Sequence, residues 1–380
     1  MASTSAVRRL TLTDFRNYAH LRVELSRPLV ALAGANGAGK TNLLEAVSLL
    51  VPGRGLRGVE FPALARQGGS GQWAVAATIE TPDGEREVGT GWRPNDDGEA
   101  ASTRAVMIDG LQQKSAGSLA DILRMVWLTP AMDRLFQGPP GDRRRFLDRM
   151  VVLFDAGHAS RVNAFEKLMR ERNALLAEPN PDGAWLSSLE VQMAESAVAV
   201  SAARLAAIST LARHVAQSEH HGPFPWAALS ITGAMEDLVM QHPAVEAEDI
   251  YRRDLARGRS ADRAAGRALA GPHRSDLHVV HGPKAMPAEF CSTGEQKALL
   301  IGLILAQARA AKSLFGASPM LLLDEIAAHL DPARREALFR LLETLGSQVF
   351  MTGTEASLFD GAGASAVVYL VDGGQLSESR

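Results

Sequence analysis

Gly34-Ala35-Asn36-Gly37-Ala38-Gly39-Lys40-Thr41 lies between a short apolar run, Leu29-Val-Ala-Leu-Ala33, and a segment with helical spacing, Asn42-Leu-Leu-Glu-Ala-Val-Ser-Leu-Leu50. That order predicts a buried strand, a turn and a helix. Glycine at 34 and 39 frees the backbone from the limits a Cβ imposes, so successive N–H groups can converge on an anion. With Lys40 and Thr41 at the helix start, the stretch fits a phosphate-binding loop for ATP. The ammonium then meets the β- and γ-phosphates and the hydroxyl joins the shell of Mg²⁺. The bare pattern arises in about one in a hundred chains of this length. The flanking strand and helix make chance less plausible still, and Gly34 through Asn42 are the expected nucleotide contacts.

Working outward, the next informative stretches lie far along the chain. Leu321-Leu-Leu323 reads as a buried strand that delivers Asp324 and Glu325 to its end. Asp324 then holds the Mg²⁺ shell through water, and Glu325 polarises the attacking water as general base, with Lys40 the third catalytic group. Many strands end in acids, so this stretch gains its meaning from the phosphate loop. Ser292-Thr-Gly-Glu-Gln296 precedes the apolar helical run Lys297–Gln307. Ser292 and Gly294 at a helix N-terminus make an anion site, while Ser292 with Glu295 equally fits an ordinary capping box. A position some thirty residues before the acidic strand favours the first reading.

The 380 residues are 46% hydrophobic and 22% charged, enough for more than one core. A single cysteine, Cys291, excludes an internal disulfide framework and suits a reducing compartment. No apolar run reaches membrane-span length and no apolar signal core follows Met1, so the expectation is a cytoplasmic protein with no membrane partner. With a net charge of −3, nucleic-acid binding must come from local patches. Arg252, Arg253, Arg257, Arg259, Arg263, Arg267 and Arg274 form one, against Asp254 and Asp262; Arg143, Arg144 and Arg145 form another. Arg257, Arg259, Arg263 and Arg143–Arg145 are the DNA candidates, solvated helix faces or internal ion pairs being the plain alternatives.

Alternation at Leu10–Tyr18 and Leu21–Leu25 predicts strands, Trp73–Ile79 with Glu87–Trp92 a hairpin, and Arg104–Ile108 a further strand. From about Asp121 to Gly271 the texture is helical. Ser160 is the expected cap of one helix, Pro179–Gly183 breaks it, and Ser187–His214 continues for on the order of 40 Å at ~1.5 Å per residue. Strands return from Leu277. The fold class is therefore α/β: an ATPase head built from both chain ends, 1–125 and 271–380, around an inserted helical lobe, 126–270.

Phosphate loop, Ser-x-Gly stretch and acidic strand in this order resemble the ABC-type ATPases. In that class the Ser-x-Gly of one subunit closes over the γ-phosphate held by the other. Phe15-Arg-Asn-Tyr18, Gly34–Ala46, Gly138-Pro-Pro-Gly-Asp-Arg-Arg-Arg-Phe-Leu-Asp148, Gly271-Pro-His-Arg-Ser-Asp276, Ser292–Lys297 and Leu323–Asp331 together resemble the RecF family. These bacterial recombination mediators are similar to SMC heads without the long coiled coil. The resemblance implies an ATP-dependent homodimer that binds single-stranded, gapped or linear double-stranded DNA. It also implies partnership with RecR and RecO in loading recombinase, and a role in DNA repair, replication and the SOS response. Asp331 matches a loop that faces the partner subunit, and Arg57 an arginine near the phosphates. Gly353 stands where transporter ATPases carry a histidine, and only Gln137 lies near the place of their lobe-linking glutamine, which together imply slow hydrolysis. A transporter's nucleotide-binding subunit and an ATP-gated scaffold that never touches DNA are the rival readings.

Overall fold

A computed structural model describes residues 5–94, 103–216, 222–326 and 330–379. Of the stretches quoted above, 327–329 lie outside the described residues. The chain divides into two compact units, one comprising Met1–Asp133, His221–Phe224 and Leu300–Arg380, the other Arg134–His220 and Pro225–Leu299.

The first unit holds two six-stranded sheets. Strands β1 (Ala6–Phe15), β2 (Tyr18–Glu24), β4 (Trp73–Thr81), β5 (Gly84–Trp92), β6 (Ala105–Ile108) and β7 (Leu111–Gln112) form an antiparallel sheet in the order β2-β1-β4-β5-β6-β7. The alternating residues Val7, Leu10, Leu12, Trp73, Val75 and Ala77 turn inward onto one core. The other sheet runs β15-β14-β3-β13-β12-β8. Its strands are β3 (Leu29–Ala33), β8 (Met125–Leu128), β12 (Met320–Leu323), β13 (Val349–Gly353), β14 (Ala366–Asp372) and β15 (Gln375–Glu378). All are parallel except β15. Strands β3, β12 and β13 are buried at every position, as parallel strands covered on both faces must be. Burial of each large aliphatic side chain there stabilises by roughly 1.5–3 kcal/mol. Helix α1 (Lys40–Ser48) leaves β3 through the glycine-rich turn, and α8 (Pro332–Leu345) joins β12 to β13.

The second unit is mainly helical: α2 (Pro140–Phe154), α3 (His158–Ala177), α4 (Gly183–Ala216), α5 (Ala234–Gln241) and α6 (Ala244–Ala265). A small antiparallel sheet of β9 (Ala227–Thr232), β10 (Asp276–His281) and β11 (Met286–Pro287) completes it. Along α4, Leu186, Leu189, Met193, Ala197, Val200, Arg204, Ile208, Leu211 and Val215 recur three or four apart and are all buried. The unit boundary falls inside α7 (Thr293–Phe315).

Four expectations change. The boundaries at 126 and 270 do not hold, because Met125–Leu128 pairs with β12 in the parallel sheet and the segment through Leu299 clusters with the helices. The strand expected from Leu277 is present as β10, but it lies in the small sheet and not in the head's C-terminal part. Ser160 lies inside α3, whose N-cap is Gly157 without a side-chain bond. Finally, α4 and α7 are long and apolar enough to cross a membrane by length and composition alone; with 50% and 67% of those windows buried, they read as core helices.

Candidate nucleotide site

The phosphate loop is shaped by contacts with the turn between β1 and β2. Gly39 caps α1 with φ 117°, a left-handed backbone, and a Cβ there would meet the Asn17 amide at 2.4 Å. Asn17 Nδ2 donates to Ala38 O at 3.2 Å and Tyr18 Oη to Gly39 O at 3.0 Å. Asn42 Nδ2 donates to Asn17 Oδ1 at 2.8 Å, so loop and turn form one unit. Ala35, Asn36 and Gly37 are exposed at the loop crest, with Gly34 and Ala38 half-buried on either side. Lys40 is buried and its Nζ donates to Gly34 O at 2.7 Å and Ala35 O at 2.8 Å, so the ammonium is folded back under the crest. Burial pushes its pKa down, while Glu325 and Asp324 pull it back up.

The acidic pair comes from the end of β12. Asp324 is buried, and Thr41 Oγ1 donates to both its carboxylate oxygens at 3.0 and 3.1 Å, across 283 positions of sequence. Glu325, half-buried, has φ 52°, left-handed for a residue with a Cβ. Thr41, Asp324, Glu325 and Lys40 thus converge at the C-terminal ends of β3 and β12, where open α/β sheets hold their ligands.

In the other unit, Ser292 and Gly294 are exposed at the start of α7. Ser292 N and Oγ both donate to Glu295 Oε2 at 2.9 Å, and Glu295 N donates to Ser292 Oγ at 3.4 Å. The capping box is therefore formed, and Lys284 pairs with the same Glu295. Asp331 caps α8, its Oδ1 accepting from Arg334 N at 2.8 Å. Gln137 Nε2 donates weakly to Glu289 O at 3.4 Å.

With this geometry in place, comparison with known proteins gives one answer. The profile of the RecF/RecN/SMC N terminal domain matches residues 6–377. The DNA replication and repair protein RecF of Mesorhizobium japonicum is 52% identical over 380 residues, covering 100% of both chains. The protein of the same name in Brucella suis is 49% identical over 373 residues, 98% of this chain and 96% of that one.

The chain belongs to the RecF family.

Among solved structures, the recombination mediator protein RecF-ATPrS in the RecFOR pathway superposes with TM-score 0.86 at 20% identity, covering 99% of each chain. An Smc head domain from Pyrococcus furiosus gives 0.53 at 17% identity over 98% and 96%. The fold is thus that of an SMC-like ABC-type ATPase head, and RecF membership sets the transporter subunit aside.

Within this chain the arginines divide by what they already hold. Arg143 makes two bonds to Asp276, at 2.8 and 2.7 Å, and Arg144 donates to Ser275 O at 2.8 Å. Arg259 binds Glu190 at 2.6 Å and Ser187, and Arg263 donates to Glu178 O at 2.8 Å beyond the end of α3. Those four guanidiniums have structural partners. Among the described residues Arg145 and Arg257 pair only with Asp142 and Asp254 on their own helices, and they keep 77% and 76% of their side-chain surface. Arg57 donates to Asn42 Oδ1 at 2.9 Å and Glu45 Oε2 at 3.0 Å. Glu45, fully buried, also receives Arg16 Nε at 2.8 Å. Sequence reading gave Glu45 and Arg16 no role; a lone carboxylate amid Leu43-Leu44 and Ala46-Val47 was the available signal. It also passed over Thr352, whose hydroxyl bonds the Asp324 carboxylate and the Glu325 backbone N–H.

Proposed function

We propose that this chain is an ATP-binding protein of DNA replication and repair that acts in the RecF-dependent branch of recombination. ATP joins two copies, the dimer binds single-stranded, gapped or linear double-stranded DNA, and with RecR and RecO it loads recombinase and supports the SOS response. The observation that carries the reading is the convergence of Lys40, Thr41, Asp324 and Glu325 on one strand-turn-helix. Names of relatives 49–52% identical support a role in DNA replication and repair.

Thr41 Oγ1 and the Asp324 carboxylate, 3.0 Å apart, are hard oxygen donors of the kind Mg²⁺ takes. When bound, the ion supplies charge neutralisation on the phosphates. The protein's own part is to cradle phosphate oxygens on the backbone of Gly34–Thr41, with Asn42 behind it. Lys40 leaves its carbonyl partners for the β- and γ-phosphates, and Glu325 takes a proton from the attacking water. Ser292 and Gly294 of one copy, with Asp331, close over the γ-phosphate of the other. Hydrolysis is slow and times release of DNA. The protein works in the cytoplasm.

Sedimentation with and without ATP and Mg²⁺, beside gel shifts on gapped DNA, tests the reading. ATP should move monomer toward dimer and tighten DNA binding together, since linkage is reciprocal. Dimerisation without any DNA binding would make the chain an ATP-gated scaffold.

A further inference from the structure

Strand β13 is buried at all five positions, and Thr352 is its single polar side chain. A buried hydroxyl must find partners, and this one finds the Asp324 carboxylate and the Glu325 backbone. Thr352 Oγ1 donates to Asp324 Oδ1 at 2.7 Å and accepts the Glu325 backbone N–H, also at 2.7 Å. One donor and one acceptor direction are thus committed to consecutive residues. The N–H it holds belongs to the residue at φ 52°, a conformation that a residue with a Cβ leaves unless something fixes it. One position on, Gly353 has no room for a side chain, since a Cβ would come within 2.9 Å of the Phe359 ring. A side chain there would have to displace the buried Phe359 ring, and the hydroxyl of Thr352 is what β13 offers the Asp324 carboxylate.

We propose that Thr352 is a positioning residue that ties the Mg²⁺-shell carboxylate of Asp324 to the general base Glu325, an inference that rests on the roles proposed above for those two. Thr41 and Asp324 would hold Mg²⁺ together, and the Thr352 hydroxyl would keep Asp324 in register while they do. The same oxygen holds the Glu325 backbone where its carboxylate meets water. Substrate binding needs neither bond, so the residue acts on turnover.

The test compares Thr352→Val, which keeps the shape and removes the hydroxyl, with Thr352→Ser, which keeps the hydroxyl and removes the methyl. Thr352→Val should lower kcat about tenfold to a hundredfold while the KM for ATP and ATP-driven dimerisation stay within about threefold of wild type. Thr352→Ser should recover most of kcat. A Thr352→Val protein with wild-type kcat overturns the proposal. So does equal impairment of both variants, or a loss of ATP affinity matching the loss of kcat, each of which marks a packing role. Glu325→Gln, run in parallel, separates the two levels: if it hydrolyses ATP normally, the assignment of the base fails first. If it is inactive while Thr352→Val is normal, only this inference fails.

Discussion

Lys40 commits its ammonium to loop carbonyls and to the field of two carboxylates, so its removal acts on binding before chemistry. Lys40→Ala should abolish ATP binding in equilibrium dialysis. Glu325→Gln, which keeps shape and loses only the proton acceptor, should bind ATP normally and turn over about 10²-fold more slowly or worse. Glu295 makes a prediction about pH. Its carboxyl is held down at about 2, first by the Lys284 ammonium and then by Ser292 N–H and hydroxyl, from an ordinary 4.5. A depressed folded value means the cap contributes stability fully above the unfolded value and loses it as pH falls through about 2. At pH 4 a ¹³C-labelled Glu295 should still show the chemical shift of an ionised carboxylate; a midpoint near 4.5 would mean the capping box is open in solution. The loop and the acids were legible because each is a contiguous run whose chemistry is local. Thr352 was not, because a threonine in Val-Phe-Met-Thr reads as a β-former and its partners lie 27 and 28 residues away.

Helices α3, α4 and α6 share a buried ion network, and the way its charges are compensated predicts what mutation does. Arg172 is fully buried, binding Glu190 at 3.0 Å, Asp262 at 2.6 Å and Leu255 O at 2.8 Å. Arg172→Ala leaves Asp262 without its buried cation and Glu190 with Arg259 alone, and should cost about 3–5 kcal/mol, read as faster hydrogen exchange across α4. On the same α6, neighbouring arginines should behave in opposite ways. Arg259→Ala loosens the network through Glu190 and lowers stability. Arg257→Ala together with Arg145→Ala should leave stability unchanged, weaken DNA binding for all sequences alike, and flatten the salt slope by about 0.9 for each phosphate no longer neutralised. Gel shifts over a salt series, beside thermal melts, check both. At this scale the sequence was readable wherever periodicity ran long, as in α4 and in β3 with its apolar run. It was silent where an element is short and its partner distant: β8 has four residues, and β12, which it pairs with, lies beyond the entire helical unit. Arginine counts alone left the candidates undivided, since periodicity cannot tell a guanidinium that grips a helix end from one that faces water.

For the whole molecule, Ser292 and Gly294 lie in a different unit from the phosphate loop, and the proposed site is completed only by a second copy. Ser292→Arg should keep ATP binding and abolish the ATP-driven shift from monomer to dimer in sedimentation; a variant that dimerises normally would sink the composite site. One consequence of the sheet order concerns the birth of the protein. Strand β3, which launches the phosphate loop, is hydrogen-bonded on one side to β13 and on the other to β14, both made more than three hundred residues later. At roughly 5–20 residues per second a ribosome needs on the order of 15–60 s to cover that stretch. The antiparallel sheet of residues 6–112 can assemble on the nascent chain, but β3 waits beside it with both edges open. Chains released early, before residue 349, should therefore hold no ATP and should be the ones that chaperones and proteases collect, so that a half-made copy never competes for DNA.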